Sequence, residues 1–201
     1  MSPPKGCNPN HPKPGSIIRV EPIRDVKAIG RIKKLLADHP RNAALFALGI
    51  NTAFRAGDLL RIKIAQVRGL TPGDTLTIRE EKTGKARSVV LNHQALEAVC
   101  RLIEGFPEKG DDELLFTGLR GAMTVQYVNR LVKAWCADVG LHRENYGSHS
   151  FRKTWGYHQR VTYRTDLPVL MDAFGHSTQR QTLSYLGITA DEVRQCFMNG
   201  L

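Results

Sequence analysis

In the run His149-Ser150-Phe151-Arg152, an imidazole and a guanidinium stand three residues apart, which puts both on one face at a helix start. A guanidinium fork matches a phosphate bidentately, and an imidazole can pass a proton or donate a hydrogen bond. Two exposed polar residues on a basic helix would look the same, so the pair alone is a weak signal. Arg55 and Asp58, in Phe54-Arg55-Ala56-Gly57-Asp58, repeat the spacing. A carboxylate there can orient the guanidinium and leave its free edge to an anion. A plain surface pair would be worth under ~1 kcal/mol. Arg55, however, lies between an apolar helix and Leu59-Leu60, where an arginine needs an anionic partner. Phe174-Gly175-His176 is followed by Tyr185 nine residues after the histidine. A phenol with a free pKa of ~10 is a weak nucleophile and needs donors around the group it attacks. The ordinary alternative is a core tyrosine beside a helix. Lys82, in Lys82-Thr83-Gly84-Lys85, reads as a solvated turn lysine when taken alone. No metal motif competes, because HExxH is absent and the histidines lack ligand spacing. Gly84-Lys85 is not a phosphate-binding loop either, since Ala86 follows it and the upstream glycine is missing.

The elements that would carry these residues follow from periodicity. Residues 1–22, with Pro3, Pro4, Pro9, Pro12 and Pro14, read as a flexible arm. Apolar residues at helical spacing predict helices at about 24–38, 43–52, 56–62, 93–105, 124–139, 150–162, 167–174, 178–186 and 190–198. His39 and Pro40 are expected to end the first. Thr75–Arg79 and Ser88–Leu91 predict two strands, joined by a hairpin whose tip is Lys82 to Lys85. The fold class is mainly α with a small antiparallel β-sheet, an α+β arrangement.

Composition bounds the rest. At 201 residues, 41% hydrophobic and 24% charged, the chain is globular rather than disordered. Its longest apolar run, Ala43 to Ile50, is far short of the ~20 residues of a membrane span. The first 16 residues have no apolar stretch of the kind a signal peptide needs. Four scattered cysteines without a CxxC pair suggest a reducing compartment. Lys and Arg total 29 against 19 Asp and Glu, and a net charge of +10 favours polyanionic partners, nucleic acid first among them.

In chain order, Arg55, Lys82 on a hairpin, His149 with Arg152, and Gly175-His176 with Tyr185 resemble the tyrosine recombinase (phage integrase) family. Gly49 to Val67 looks like the family's first box, with Arg55 its arginine and Asp58 the acidic residue beyond it. Glu81 to Lys85 is similar to its lysine hairpin, His149 to Thr154 to its second box, and Phe174 to Ser177 to its third. The resemblance covers about residues 23–198. It departs from the family at Lys153, where histidine usually stands. It also departs ahead of the catalytic region, where residues 1–22 cannot form the usual helical core-binding domain. That layout is similar to the small fimbrial-switch recombinases.

The resemblance implies an arm at 1–22, a catalytic domain at 23–201, and no N-terminal core-binding domain. It implies a site-specific recombinase or integrase that cleaves and rejoins DNA through a 3′-phosphotyrosyl intermediate, with no metal or other cofactor. Tyr185 would be the nucleophile, Arg55 and Arg152 the phosphate clamp, His149 and His176 hydrogen-bonding partners, and Lys82 the general acid. Asp58 would support Arg55, and Lys85 and Lys153 would contact DNA. Implied partners are double-stranded DNA and further copies of the chain (a tetramer on DNA, a monomer when free), with room for an accessory DNA-bending or helper protein and none for a membrane. A cytoplasmic protein of bacterial, phage or mobile-element origin is expected. A type IB topoisomerase, a telomere resolvase and a DNA-binding remnant remain alternatives.

Overall fold

The computed structural model describes residues 19–119, 121–187, 194–195, 197–198 and 200. The expected arm at 1–22 and the last helix at 190–198 therefore fall largely outside the described residues. Helix α1 (Val26–Leu35) starts at Asp25, whose carboxylate accepts the Lys27 N–H, and buries Ala28 and Ile32. Helix α2 (Pro40–Thr52) begins three residues before the expected start. Pro40 does not end the preceding helix, which stops at Leu35 rather than the expected 38, but opens the next, because the first helical position needs no N–H. A short α3 (Ala56–Leu59) follows, ending earlier than the expected 62. Strands β1 (Thr75–Arg79) and β2 (Ala86–Val90) pair antiparallel, with Thr75 opposite Val90 and Arg79 opposite Ala86. Helix α4 (His93–Glu104) comes next, then a two-residue ladder of β3 (Thr117–Gly118) and β4 (Gly121–Ala122) that the sequence does not suggest. Helices α5 (Val125–Asp138), α6 (Ser148–Val161), α7 (Leu167–Phe174) and α8 (Gln179–Leu186) complete the fold. Among the described residues, no helix is long and apolar enough to cross a membrane.

Helix α2 is the hub. Its run from Ala44 to Gly49 is buried residue after residue, which only a helix wrapped by neighbours can be, and α4 and α6 pack against it. Phe46 of α2, Trp135 of α5 and Phe151 of α6 form an aromatic triangle with centroids 5.9–6.4 Å apart. At Gly49 a Cβ would stand 2.5 Å from the Phe151 ring, so glycine sets how closely α2 and α6 approach. This packing fixes the end of α2 against the start of α6. A second small core of Ala53, Leu170, Phe174 and Leu186 seats α7 and α8 on the far half of α6.

Candidate active site

The first arginine sits where α2 gives way to α3. The chain turns through Ala53, whose φ of 54° is left-handed, and Arg55 then occupies the cap position before α3. Its Nη1 lies 2.6 Å from Glu80 Oε1 and 3.8 Å from Asp58 Oδ2. Asp58 is buried and spends its other oxygen on the Glu81 N–H, 2.9 Å away. The nearer carboxylate to Arg55 is thus Glu80, and Asp58 is tied to the base of the hairpin.

Arg152 and His149 come from the first turn of α6, which starts at Ser148, two residues before the expected position. Arg152 is 2% exposed. It donates to the Ala53 carbonyl at 2.5 Å and the Phe174 carbonyl at 2.6 Å, joining the C-terminal ends of α2 and α7. Cations are favoured at such ends by the helix dipole. Burial, and then the neighbouring Arg87, bring its pKa down to about 10, so the guanidinium stays charged at neutral pH. His149 is held below the ordinary histidine value by burial and by Arg152, and is neutral at pH 7.

The third group forms around α7 and α8. Gly175 ends α7 in the left-handed region, at φ 66°, and turns His176 back onto Phe174, with rings 5.0 Å apart and nearly parallel. The His176 Nδ1 lies 3.0 Å from the hydroxyl of Thr182, which belongs to the helix that carries Tyr185. Burial, and then Arg152, Arg55 and Arg87, lower His176 to about 4, leaving a neutral imidazole. Tyr185 packs edge-on against Phe174 and His176, and the Arg152 guanidinium lies 5.9 Å from its ring centroid. Burial raises its pKa, and Arg152 and Arg55 oppose that rise.

Arg55, Asp58, Lys82, His149 and Arg152 line one cavity of about 380 Å³, closed by Gly57, Glu81, Val125 and Ser148 among others. His176 and Tyr185 lie outside that lining and meet it through Arg152. Two residues expected to contact DNA, Lys85 and Lys153, do not line that cavity. Lys85 is exposed but lines a different hollow, with Arg87, Trp155 and Ala173. Lys153 is 8% exposed, its ammonium 5.4 Å from the Tyr185 ring centroid, so it packs beneath the tyrosine rather than facing solvent. Sequence reasoning also missed Glu80, Arg87 and Thr182. For the first two a signal existed. Strand alternation carries the inward face through Leu76, Ile78 and Glu80, and the register sets Arg87 opposite Ile78. Among the described residues, no group of three His, Cys, Asp or Glu could hold a metal ion.

The chain matches the phage integrase family over residues 24–192. It is 31% identical over 183 residues to the "Probable integrase/recombinase YoeC" of Bacillus subtilis (strain 168), covering 89% of this chain and 95% of that protein. Its fold is similar to the crystal structure of XerA recombinase, with a TM-score of 0.73 at 17% identity, covering 91% of this chain and 65% of that one. It is also similar to the XerH site-specific recombinase in a post-cleavage complex with palindromic difH substrate, with a TM-score of 0.70 at 22% identity over 91% of this chain and 53% of that one.

Proposed function

The chain belongs to the phage integrase family and is a tyrosine recombinase, an enzyme of site-specific DNA recombination, and on that premise we propose that Tyr185 is its nucleophile and the arginine-lined cavity its phosphate site. The observation that carries this reading is Arg152, one guanidinium that both lines the cavity and touches the tyrosine ring. A phosphodiester in the cavity would place its nonbridging oxygens on Arg55 and Arg152, where charge grows as phosphorus becomes pentacoordinate. The Tyr185 oxygen attacks phosphorus, and the bond from phosphorus to the 5′-oxygen breaks. The phenol proton passes to neutral His149, and Lys82 gives a proton to the departing 5′-oxygen. The product is a 3′-phosphotyrosyl link and a free 5′-hydroxyl. Because the link keeps a phosphoester bond, a second 5′-hydroxyl can attack it, restore DNA and release the phenol. His176 stays neutral and donates a hydrogen bond rather than charge.

Residues 23–201 act as the catalytic domain. The substrate is duplex DNA, a reading supported by the similar XerH bound to its palindromic difH substrate and the similar Tn1549 transposon integrase in complex with transposon right end DNA. Exchange between two duplexes breaks four strands, so four copies of the chain assemble on the DNA. A topoisomerase or resolvase role is not favoured, since the relatives are named integrase or recombinase. The test begins with nicked duplexes selected from a random-sequence pool by covalent capture. Wild-type protein should give an adduct that resists SDS and yields to protease, EDTA should leave it intact, and Tyr185→Phe should give none. An adduct from Tyr185→Phe would overturn the assignment.

A further inference from the structure

Glu80 is a buried carboxylate, 8% exposed, at the foot of the hairpin that carries Lys82. It faces two hydrogen-bond donors, Arg87 and Thr83, and one ion-pair partner, Arg55, whose buried Nη1 makes no hydrogen bond. Arg55 Nη1 lies 2.6 Å from its Oε1, Arg87 Nη1 donates to the same oxygen at 3.3 Å, and the Thr83 hydroxyl donates to Oε2 at 2.8 Å. Arg87 is anchored in turn by a hydrogen bond from its Nη2 to the Ala173 carbonyl at the end of α7, and its guanidinium lies over the Phe54 ring. The Asp58 oxygen nearest Arg55 is buried, 3.8 Å away, and accepts no hydrogen bond. A side chain as long as arginine has many rotamers to lose before it can hold one pose. The carboxylate that removes that freedom here is the one at 2.6 Å.

Resting on the recombinase reading above, we propose that Glu80 is the positioning residue for Arg55: it holds one edge of the guanidinium so that the other edge meets the scissile phosphate. Arg87 and Thr83 are its supports. Arg87 keeps the carboxylate in place from the α7 side, and Thr83 holds it from the turn that presents Lys82. Glu80 touches neither DNA nor the reacting atoms. Its effect should therefore appear in the rate of cleavage of bound DNA, and only while Arg55 is present.

The experiment is single-turnover cleavage on the selected nicked duplex, with DNA affinity measured separately. Glu80→Gln should slow cleavage about 10–100-fold, the range in which partners that orient an active-site group ordinarily act. DNA affinity should hardly change, because it is spread over many phosphate contacts. In an Arg55→Ala background the further change to Gln should cost nothing more. A duplex with sulfur at the bridging 5′ position, whose leaving group needs no proton, should not restore the rate. Full additivity with Arg55→Ala, or rescue by the sulfur, would overturn the proposal. Rescue would mean that Glu80 acts through Lys82 and the hairpin instead. Thr83→Val keeps the carboxylate and removes one of its donors, so it carries the same cycle should Glu80→Gln fold poorly, with a smaller loss expected in the same direction. A wild-type protein that forms no adduct would bring down the recombinase reading and this inference with it. An active wild type with an indifferent Glu80→Gln would bring down this inference alone.

Discussion

Lys82 and Lys85 stand on one turn, yet they line different hollows, and only Lys82 lines the one that holds Arg55, His149 and Arg152. The general acid should therefore be Lys82. Lys82→Ala should slow cleavage of ordinary DNA by ~10²–10⁴, the usual worth of a proton donor to a poor leaving group. The 5′-sulfur duplex should restore most of that loss, whereas the defect of Lys85→Ala should be in binding and unrelieved by sulfur. Rescue of Lys85→Ala would reverse the assignment. His176 gives a prediction of another kind. Held at about 4 against an ordinary 6.5, it stays neutral in the fold where an unfolded chain already takes up a proton. Its contribution is complete above pH 6.5 and is lost as the pH falls toward 4. After discounting for its partial exposure, wild type should lose about 1–2 kcal/mol more stability than His176→Gln across that window, read from urea denaturation at each pH. The side chains proposed to carry the chemistry stand out in the sequence because each has a distinctive type in a distinctive order. Their supports stand out less. Thr182 is an ordinary residue whose value lies in what the fold sets beside it, and Glu80 shows only as the next inward position after Leu76 and Ile78.

Helix α6 shows the same division one level up. Its apolar period and the start near His149 could be read from the sequence. The use of its other face could not. Ser150, Thr154 and His158, four residues apart, hold the incoming segment by its backbone: the Ser150 hydroxyl donates to the Glu21 carbonyl, the Thr154 hydroxyl accepts the Ile23 N–H, and His158 Nε2 lies 3.0 Å from the Ile23 carbonyl. Polar residues at that spacing look like a solvated stripe until the chain that covers them is known. Strand β2 began earlier than expected for a similar reason. Arg87 reads as loop charge, but the register points it inward, where Glu80 and the α7 carbonyl receive it. Glycines inside helices also matter to this packing. At Gly156 a Cβ would stand 2.4 Å from the Phe174 ring and 2.8 Å from Leu186, so α6 meets α7 and α8 at contact distance only because that side chain is missing. Gly156→Ala should cost about 1–3 kcal/mol by overpacking and displace the helix of Tyr185, cutting adduct yield. At Gly30 of α1 a Cβ meets nothing within 4 Å. There the same change should stabilise by ~0.5–1 kcal/mol, as alanine does in an open helix interior. Equal effects at the two sites in urea denaturation would contradict this account of how α8 is placed.

At the scale of the whole molecule the question is what the charge of +10 does. At physiological salt the Debye length is about 8 Å, so a phosphate feels the cations it touches and little of the remaining surface. The charge should steer approach at low salt, while the bound state is held by contacts that can be counted. With Arg55, Arg152 and Lys82 sharing the scissile phosphate and Lys85 and a neighbour each on one beside it, on the order of three phosphates are neutralised per protomer, giving a log–log slope of about −2.7. Affinity would then fall roughly 40-fold between 50 and 200 mM salt. If all ten net charges were engaged, the slope would approach −9. The two cases separate cleanly in a fluorescence titration of a labelled duplex by monomeric protein. Lys85→Ala should flatten the slope by about one and weaken binding evenly across sequences, as loss of a phosphate contact does. A slope near zero would mean that base edges or apolar contacts hold the DNA instead. A slope near −9 that Lys85→Ala leaves untouched would mean that binding reads the diffuse field of the whole chain rather than a site built around one phosphate.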